Sequence, residues 1–418
     1  MTLIDTLAQA ALPDDALGPS RRRQIERLRQ VGLPDSRTEG WRHTSLRALG
    51  ARAFALRADA DPAPDLSAEI QARLLAAPQR IVFLNGCLRT EWSTLTGLED
   101  GLRIDPTLAE SLLDTADTPV LAAANLALAE HGVQIDVAAG RQIVEPLQVF
   151  FIGAATAQDL ASHVRIRLRL HAGAALTLIE VHLTSTATRH FDNVFVDAQV
   201  AEQAALIHLR TTAANPGGSS YQFTRYQLLQ QARVTSFAVT PGLGLERHDT
   251  SVLLDGKSAA YVGGGVLALA GRAHADVQVR VQHRAGETRS QLIWRGLAAD
   301  RARASFTGSL IVAAGADGAD ARLSAKNLLL SAHAEINCQP VLEINADEVK
   351  AAHGATVGSL DAQALFYLRS RGIDAETARS MLMRAFAMEA LAVLEDATMR
   401  ADLESALEQL LNIGTAAA

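Results

Sequence analysis

Histidine and cysteine side chains are the residues of this sequence most suited to binding a metal. His353 lies in the segment KAAHGATVG (350–358), among small residues and ahead of an amphipathic stretch. Imidazole is a borderline ligand for iron and related metals, so His353 is a candidate ligand. A lone histidine before a glycine-rich turn is also a common structural residue, and both interpretations stay open at this point.

The sequence contains two cysteines, Cys87 and Cys338. This number excludes a disulfide framework, a zinc site of four cysteines and an iron-sulfur cluster held by four thiolates of this chain. Cys338 is predicted to be a small buried apolar residue. Cys87 follows a predicted Asn85-Gly86 turn and is assigned no role.

Familiar catalytic motifs are absent from the sequence. It lacks the phosphate-binding motif G-x-x-x-x-G-K-S/T, the metalloprotease motif H-E-x-x-H and the hydrolase motif G-x-S-x-G. The glycine-rich segment 261–271 is predicted to form tight turns. Glu343, Asp347 and Glu348 lie near His353 and could belong to a carbohydrate-cleaving enzyme. Aromatic residues make up only 4% of the chain, which favours solvated turn carboxylates instead.

Composition indicates an ordinary globular protein. The 418 residues are 48% hydrophobic and 20% charged, with a net charge of -7. These values allow a large core and two or three domains, and they lack the basic surplus of a nucleic-acid-binding protein. The sequence starts without a signal-peptide pattern, and no apolar run is long enough to span a bilayer. We therefore predict a cytoplasmic protein.

Alternating apolar and polar residues fill the middle of the chain. Examples are the segments 164–170, 175–183, 193–200 and 276–283, and their period of two predicts β-strands. No amphipathic helix interrupts this pattern before Leu360. The middle region, 132–358, is therefore predicted to be almost purely β.

A weak repeat suggests how these strands are arranged. The segments GAALTL, QAALIH, QARVTS and KSAAYV begin at positions 173, 203, 231 and 257. A small-residue turn followed by a strand, recurring about every 28 residues, predicts the stacked coils of a β-solenoid. A β-sandwich is the alternative.

The two ends of the chain are predicted to be mainly helical, over 1–131 and 359–418. In the first region a helix covers 21–31, a loop 59–67 and a strand 80–86, with helical character at 108–113 and 120–131. In the second, one helix spans 361–371 and ends at Gly372, and Asp374 caps another that runs to about 395. A third carries Met399, Leu403, Ala406, Leu407, Leu410 and Leu411. These three helices are predicted to dock on the end of the solenoid or on a partner.

Four segments resemble the SufD branch of the scaffold subunits of the SUF iron-sulfur cluster assembly machinery. The longest is LEINADEVKAAHGATVGSLDAQALFYLRSRGID (342–374); the others are KNLLLS (326–331), LPDSRTEGWRHTSL (33–46) and ALTLIEVH (175–182). Gly354 follows the histidine, whereas the paralogue SufB typically has an acidic residue there.

This resemblance implies a fold and a role. The fold would be a right-handed parallel β-helix flanked by helical regions. The role would be that of a non-catalytic scaffold that pairs with SufB and binds the ABC-type ATPase SufC. His353 would be a ligand of a transient cluster shared with SufB, and no cofactor would stay bound to this chain alone. The implied SufC-docking residues are Leu365, Phe366, Tyr367, Arg371, Gly372 and Ile373.

One position departs from the family pattern. Many relatives have a cysteine two residues before the histidine, where this chain has Ala351. The sulfur ligands are therefore expected to come from SufB. A homodimer is expected when SufB is absent. Because His353 is predicted to lie one turn before the docking helix, movement of the ATPase is expected to reach it. Two alternatives remain: a purely structural partner of SufB and a β-helical carbohydrate-active enzyme.

Overall fold

A computed structural model of the chain describes residues 3–13, 15, 17–56, 66–108, 118–185, 188–397, 400–401, 403–404 and 407. Most of the predicted loop at 59–67 and of the predicted helical segment 108–113 lies outside these residues. The same is true of four residues of the predicted third C-terminal helix: Met399, Ala406, Leu410 and Leu411.

The described residues form nineteen strands. These are β1 (Arg80–Leu84), β2 (Cys87–Leu88), β3 (Leu102–Asp105), β4 (His131–Val137), β5 (Leu147–Gly153), β6 (Ala161–Leu170), β7 (Ala175–Thr184), β8 (Phe191–Val200), β9 (Ala205–Thr212), β10 (Asn215–Leu228), β11 (Arg233–Thr240), β12 (Leu243–Leu254), β13 (Ala260–Leu269), β14 (His274–His283), β15 (Arg289–Ala298), β16 (Arg303–Val312), β17 (Asp320–Leu329), β18 (Glu335–Ile344) and β19 (Lys350–Gly358).

Helices lie before and after most of these strands. They are α1 (Leu3–Ala8), α2 (Gly18–Val31), α3 (Arg47–Gly50), α4 (Ala68–Leu75), α5 (Val120–Leu128), α6 (Ala362–Ser370) and α7 (Ala375–Met388), with short 3-10 helices at Thr90–Trp92 and Glu389–Val393. The helix predicted over 120–131 was too long. Helix α5 ends at Leu128, because His131 already begins strand β4. None of the described helices is both long and apolar enough to cross a membrane.

The strands form two sheets, and each coil of the solenoid contributes one strand to each sheet. The odd sheet has the order β19-β17-β15-β13-β11-β9-β7-β5-β1-β2, and the even sheet has the order β18-β16-β14-β12-β10-β8-β6-β4-β3. Neighbouring strands are parallel, except for the antiparallel pairs β1–β2 and β3–β4 at the first end. From β4 onward successive strands alternate between the sheets. This is the architecture of a parallel β-solenoid and confirms that prediction over the sandwich.

The register of the odd sheet confirms the repeat seen in the sequence. Ala175 pairs with Ala205, Ala205 with Arg233, and Arg233 with Ala260. The offsets are 30, 28 and 27 residues (205 − 175, 233 − 205 and 260 − 233). The last offset exceeds the predicted 26 because one extra residue lies between the start of the fourth motif and its strand.

A column of left-handed turn residues stacks in front of the odd strands. Six of its members have φ between 56° and 75°: Gly173, Gln203, Gln231, Ser258, Glu287 and Gly318. Each donates its backbone N–H to a carbonyl in the turn of the next coil, as Gln231 does to Lys257 at 2.9 Å. A left-handed residue other than glycine costs about 1–2 kcal/mol, which these hydrogen bonds offset.

The solenoid core is mostly apolar but contains buried polar groups, among them a charged cluster. The Glu180 carboxylate, which is fully buried, accepts hydrogen bonds from Arg210 Nε and His208 Nε2, each at 2.8 Å. His208 Nδ1 lies 2.6 Å from the Tyr226 hydroxyl. Burial opposes ionisation of Glu180, but the charges of Arg210 and His208 outweigh it and hold the pKa of Glu180 well below its usual value.

The N-terminal region packs on the outer face of the even sheet. Trp41 stacks on Tyr221 with ring centroids 6.2 Å apart, and the Arg247 guanidinium lies 4.2 Å from the Trp41 ring centroid. Arg247 also donates to the Gly40 carbonyl and to the Asp276 carboxylate, each at 2.6 Å. The segment with the motif EGWRHTSL is therefore fixed to the solenoid by a buried arginine.

The C-terminal helices pack on the outer face of the odd sheet. Met383 of α7, together with Leu391 and Val393, contacts a sheet surface that includes Phe237 and Leu297. The predicted docking on the end of the solenoid was therefore wrong. The apolar stripe of these helices matches the apolar outer face of the sheet, and none of the described helices covers the end of the solenoid.

The segment 261–271 forms most of strand β13, so the prediction of tight turns there was wrong. Its central glycines lie where a side chain would collide with a neighbour. A Cβ at Gly264 would lie 2.9 Å from Val393 Cγ2, and one at Gly265 would lie 2.5 Å from the Trp294 ring. These glycines allow the C-terminal region and the core to approach the strand closely. Among the glycines of the segment 261–271, Gly271 lies after the strand and forms a turn, with φ of 65°.

Replacing Arg247 by Met is expected to destabilise the protein by about 3–5 kcal/mol, because Asp276 would keep a buried charge without its partner. Urea unfolding followed by Trp fluorescence measures the change. Arg322→Met is the matched control, since Arg322 pairs with Asp320 at the surface. Equal unfolding midpoints for the two variants would show that the buried pair does not fix the N-terminal segment.

Candidate functional site

The last coil of the solenoid is open. Strand β18 pairs with β16 and β19 pairs with β17, and within the described part of the chain neither has a neighbour on its other side. An unpaired parallel strand presents a row of backbone N–H and C=O groups that can pair with another chain. The first end differs, because short antiparallel strands and the N-terminal region cover it.

His353 lies in the middle of this exposed edge strand. It pairs with Leu323 of β17, whose side chain is part of the core. Paired residues of parallel strands face the same side of a sheet, so His353 occupies the core-facing row of the last coil. The row runs through Leu178, His208, Ser236, Gly263, Leu292 and Leu323 to His353. His353 is exposed because no further coil of the described chain covers it.

His353 is farther from helix α6 than predicted. It lies five residues before the last residue of β19, Gly358 (358 − 353). At about 3.3 Å per residue this is about 17 Å of strand, rather than one helical turn. The prediction was wrong because the small residues after His353 extend the strand and do not form a turn.

The two inward-facing apolar residues that end the last coil are also exposed. Ile344 of β18 and Val357 of β19 have exposed fractions of 44% and 46%. Their partners in the preceding coil are Val312 and Asn327, which are both buried. Apolar side chains in this position indicate a surface completed by another coil.

Cys338 does not replace the cysteine that is missing at Ala351. The Cys338 thiol is half-buried in β18, where burial raises its pKa and a hydrogen bond with Asn327 opposes the rise. Asn327 pairs with Val357, four residues beyond His353. Val357 is about 13 Å along the strand from His353. The structure therefore does not bring the side chains of Cys338 and His353 together.

Helix α6 carries the predicted docking residues and is exposed. Phe366 and Tyr367 have exposed fractions of 74% and 57%, and the Arg371 guanidinium lies 5.2 Å from the Tyr367 ring centroid. Leu365 and Ile373 are half-buried, and Gly372 is exposed. No residue of α6 is fully buried, so the aromatic pair stands on a helix that the described residues of its own chain leave uncovered.

The ends of α6 are sharply defined. The Asp361 carboxylate accepts from the backbone N–H of Gln363 at 2.8 Å, as an N-cap does. At the other end Gly372 has φ of 87° and donates to the Arg369 carbonyl, and Ile373 donates to the Leu368 carbonyl. These two bonds form a Schellman motif, which confirms the predicted stop at Gly372.

Helix α7 and the turn after it attach this unit to the solenoid. Glu389 lies 2.9 Å from Arg295 and 3.3 Å from Lys326, which project from the odd sheet. The strand β17 that carries Lys326 also pairs with β19. Helix α6 is thus joined to the edge strand at one end and to a packed helix at the other.

The carboxylates near His353 are solvated. Glu343, Asp347 and Glu348 are exposed at the end of β18 and in the turn after it. Among the described residues, no three histidine, cysteine or acidic side chains are close enough to hold a metal ion together. On this chain His353 is therefore a single donor, and a complete metal site at the open coil needs ligands from elsewhere.

The sequence did not predict the exposed apolar pair Ile344 and Val357. Their alternation looks like that of any other strand, and only the absence of a following repeat distinguishes them. The exposed aromatic pair of α6 was found through the family resemblance and not through its pattern.

Comparison with known proteins identifies the family. Residues 151–386 match the family described as "SUF system FeS cluster assembly, SufBD core domain". The iron-sulfur cluster assembly protein SufD of Escherichia coli K12 is 30% identical over 94% of this chain and 93% of its own length. A SufBD family protein of Synechocystis is 27% identical over 96% of this chain and 92% of its own length, and SufD of Bacillus subtilis is 24% identical over 70% and 67%.

The matched segment contains both halves of the exposed site, the edge strand with His353 and the helix with Phe366 and Tyr367. The strands of the solenoid from β5 onward lie almost entirely within it. The chain belongs to the SufBD family of iron-sulfur cluster assembly proteins.

Proposed function

We propose that this chain is a SufD-type, non-catalytic scaffold that pairs with SufB through the open coil, binds SufC through α6 and helps to build iron-sulfur clusters in the cytoplasm. The observation that carries the proposal is the unpaired end of the solenoid, with His353 in its core-facing row. The relatives in Escherichia coli and Bacillus subtilis are named iron-sulfur cluster assembly proteins, which supports the scaffold role.

The open coil is suited to pairing with another solenoid. Its backbone groups can continue both sheets, and Ile344 and Val357 would then be covered like the inward residues of earlier coils. SufB, as the paralogue with the same predicted β-helix, is the proposed partner. The same edge can pair with a second copy of this chain, which is the proposed homodimer in the absence of SufB.

Pairing would change the surroundings of His353. A further coil would cover the imidazole between two strands, where it could act as a nitrogen ligand to iron. The neighbours Ala352, Gly354 and Ala355 are small, and apart from Gly354 and its two chain neighbours no described residue lies within 4 Å of a Cβ placed at Gly354. A partner backbone can therefore approach closely. The thiolate ligands would come from SufB, since this coil offers one nitrogen donor.

Helix α6 is the proposed SufC-docking surface. Exposed aromatic side chains next to an arginine are typical of the residues that dominate protein interfaces. Strand β19 leads directly to this helix, and Glu389 ties the following turn to the neighbouring strand β17. We propose that displacement of α6 by the ATPase reaches His353 along β19.

A carbohydrate-active enzyme is the weaker candidate. Its only support in the sequence was the acidic cluster near His353, and these carboxylates are exposed in a turn. Glycosidic cleavage needs two carboxyl groups facing one substrate across a groove.

Replacing Val357 by Lys is expected to weaken binding to SufB by about 100-fold or more, because pairing would bury an unpaired ammonium group. Val357 is exposed in the single chain, so folding should be unaffected. Isothermal titration with purified SufB measures the dissociation constant. Val144→Lys is the control, because Val144 is 81% exposed at the first end of the solenoid. Unchanged affinity in Val357→Lys would exclude this edge as the interface.

Replacing His353 by Ala is expected to leave SufB binding intact and to remove most cluster assembly, because the coil keeps its backbone but loses its nitrogen donor. Iron and sulfide analysis of the reconstituted complex, together with its visible absorption, measures assembly. His333→Ala is the matched control, since His333 is exposed in the turn before β18. Normal assembly in His353→Ala would support the purely structural alternative.

Replacing Phe366 and Tyr367 together by Ala is expected to weaken SufC binding by about 30-fold or more, since the loss of a single dominant interface aromatic already costs about 2 kcal/mol. Alanine preserves the helix. Surface plasmon resonance with immobilised SufC gives the affinity. Leu75→Ala, at an exposed leucine of α4, should bind normally. In the full complex, the double variant should also abolish any ATP-dependent change in the chemical accessibility of His353; an unchanged response would disprove the coupling.

A further inference from the structure

A cavity of about 270 Å³ lies between the N-terminal region and the first coils, at the opposite end of the solenoid from His353. Its polar lining consists of Asn85, Cys87, Glu130, His131, Ser162 and His163, and the rest of the lining is aliphatic. The scaffold function proposed above does not use these side chains.

The hairpin between β1 and β2 brings Cys87 and His163 to the same cavity. Asn85 and Gly86 have φ of 50° and 81°, the conformation of a two-residue Asn-Gly turn. A Cβ at Gly86 would lie 2.6 Å from the Ser162 Cβ, so the turn is in direct contact with the start of β6. Cys87 and His163 are the next residues on the two contacting segments.

His163 is buried without a hydrogen-bond partner. Its exposed fraction is 7%, and neither ring nitrogen contacts a described donor or acceptor. Burial lowers the pKa of His163 to about 3, so the imidazole is neutral at physiological pH. A buried polar group left unsatisfied costs about 1–3 kcal/mol, which indicates that something else occupies its nitrogen in the functional protein.

The lining favours a cation over an anion. It includes the Glu130 carboxylate, a cysteine and two histidines, and it contains no lysine or arginine among its described residues. Cys87 is not in a disulfide. Thiolate and neutral imidazole together are ligands that first-row transition metals and zinc prefer over magnesium or calcium.

The site would use few protein ligands. Within the residues that the structure describes, no group of three suitable side chains is close enough to hold a metal ion. A site with two protein ligands is compatible with this absence of a three-residue group. The volume of the cavity leaves room for water at the other coordination positions. Such a site would exchange its metal readily.

We propose that Cys87 and His163 form a two-ligand site for a first-row divalent metal ion, of the chemistry of Fe²⁺ or Zn²⁺, with water completing the coordination. The ion would accept the lone pair of a nitrogen of the buried imidazole. It would also bind the Cys87 sulfur, and the thiol would lose its proton to solvent. The site lies apart from the open coil and does not depend on SufB or SufC.

The full-length chain carrying Cys338→Ser tests the site, because Cys87 is then the only thiol. Titration with Co²⁺ should produce a near-ultraviolet thiolate-to-metal absorption band, and Zn²⁺ should slow the alkylation of Cys87 by iodoacetamide by about tenfold or more. Cys87→Ser should abolish the band. His163→Asn should keep the thiol but lower Co²⁺ affinity by about tenfold or more.

Two results would overturn the proposal: no band with Co²⁺ in the folded Cys338→Ser protein, or equal Co²⁺ affinity in His163→Asn and His171→Asn. His171 is a half-exposed histidine in the turn after β6 and serves as the control. Circular dichroism checks the fold of each variant, and the zinc protection of Cys87 needs no change at His163. Both readouts use the single chain, so they remain valid if the proposed pairing with SufB fails.

Discussion

Pairing between successive coils is the interaction on which the whole structure depends. Each strand from β6 onward bonds to the strand two places before it, and these coils stack without any strand returning in the opposite direction. A stack of this kind satisfies backbone groups only between coils, so it must have two ends. The pairing surface and the metal site proposed for this chain lie at these two ends and depend on whether each end is covered.

The two ends of the solenoid differ in whether other parts of the described chain cover them. Short antiparallel strands and the N-terminal region cover the first end, and Arg247 fixes that region to the even sheet. At the last end, β18 and β19 have no second neighbour among the described strands, and Ile344, His353 and Val357 occupy core-facing positions there. A protein that worked alone would have reason to protect such an edge, whereas a subunit that pairs must leave it open.

The C-terminal helices are attached to the side of the solenoid so that the open end stays accessible. Gly264 allows Val393 to lie directly on strand β13, and Glu389 binds two basic residues of the odd sheet. Helix α6 is left exposed between this anchored unit and the edge strand. Two candidate partner surfaces thus lie next to each other on one chain, and a rigid strand connects them.

The sequence alone determined the solenoid, because alternation with a period of two and a repeat near 28 residues are local and recur along the chain. It also determined helix α6, since Asp361 and Gly372 are caps that act on neighbouring backbone groups. Only the tertiary structure decided that 261–271 is a strand, because the reason for its glycines is Val393 and Trp294, which are distant in sequence. The same holds for the place of His353 in the core-facing row of the last coil and for the presence of Cys87 and His163 in the lining of one cavity. Those arrangements depend on which coil comes last and on which turn contacts which strand, and no local pattern carries that information.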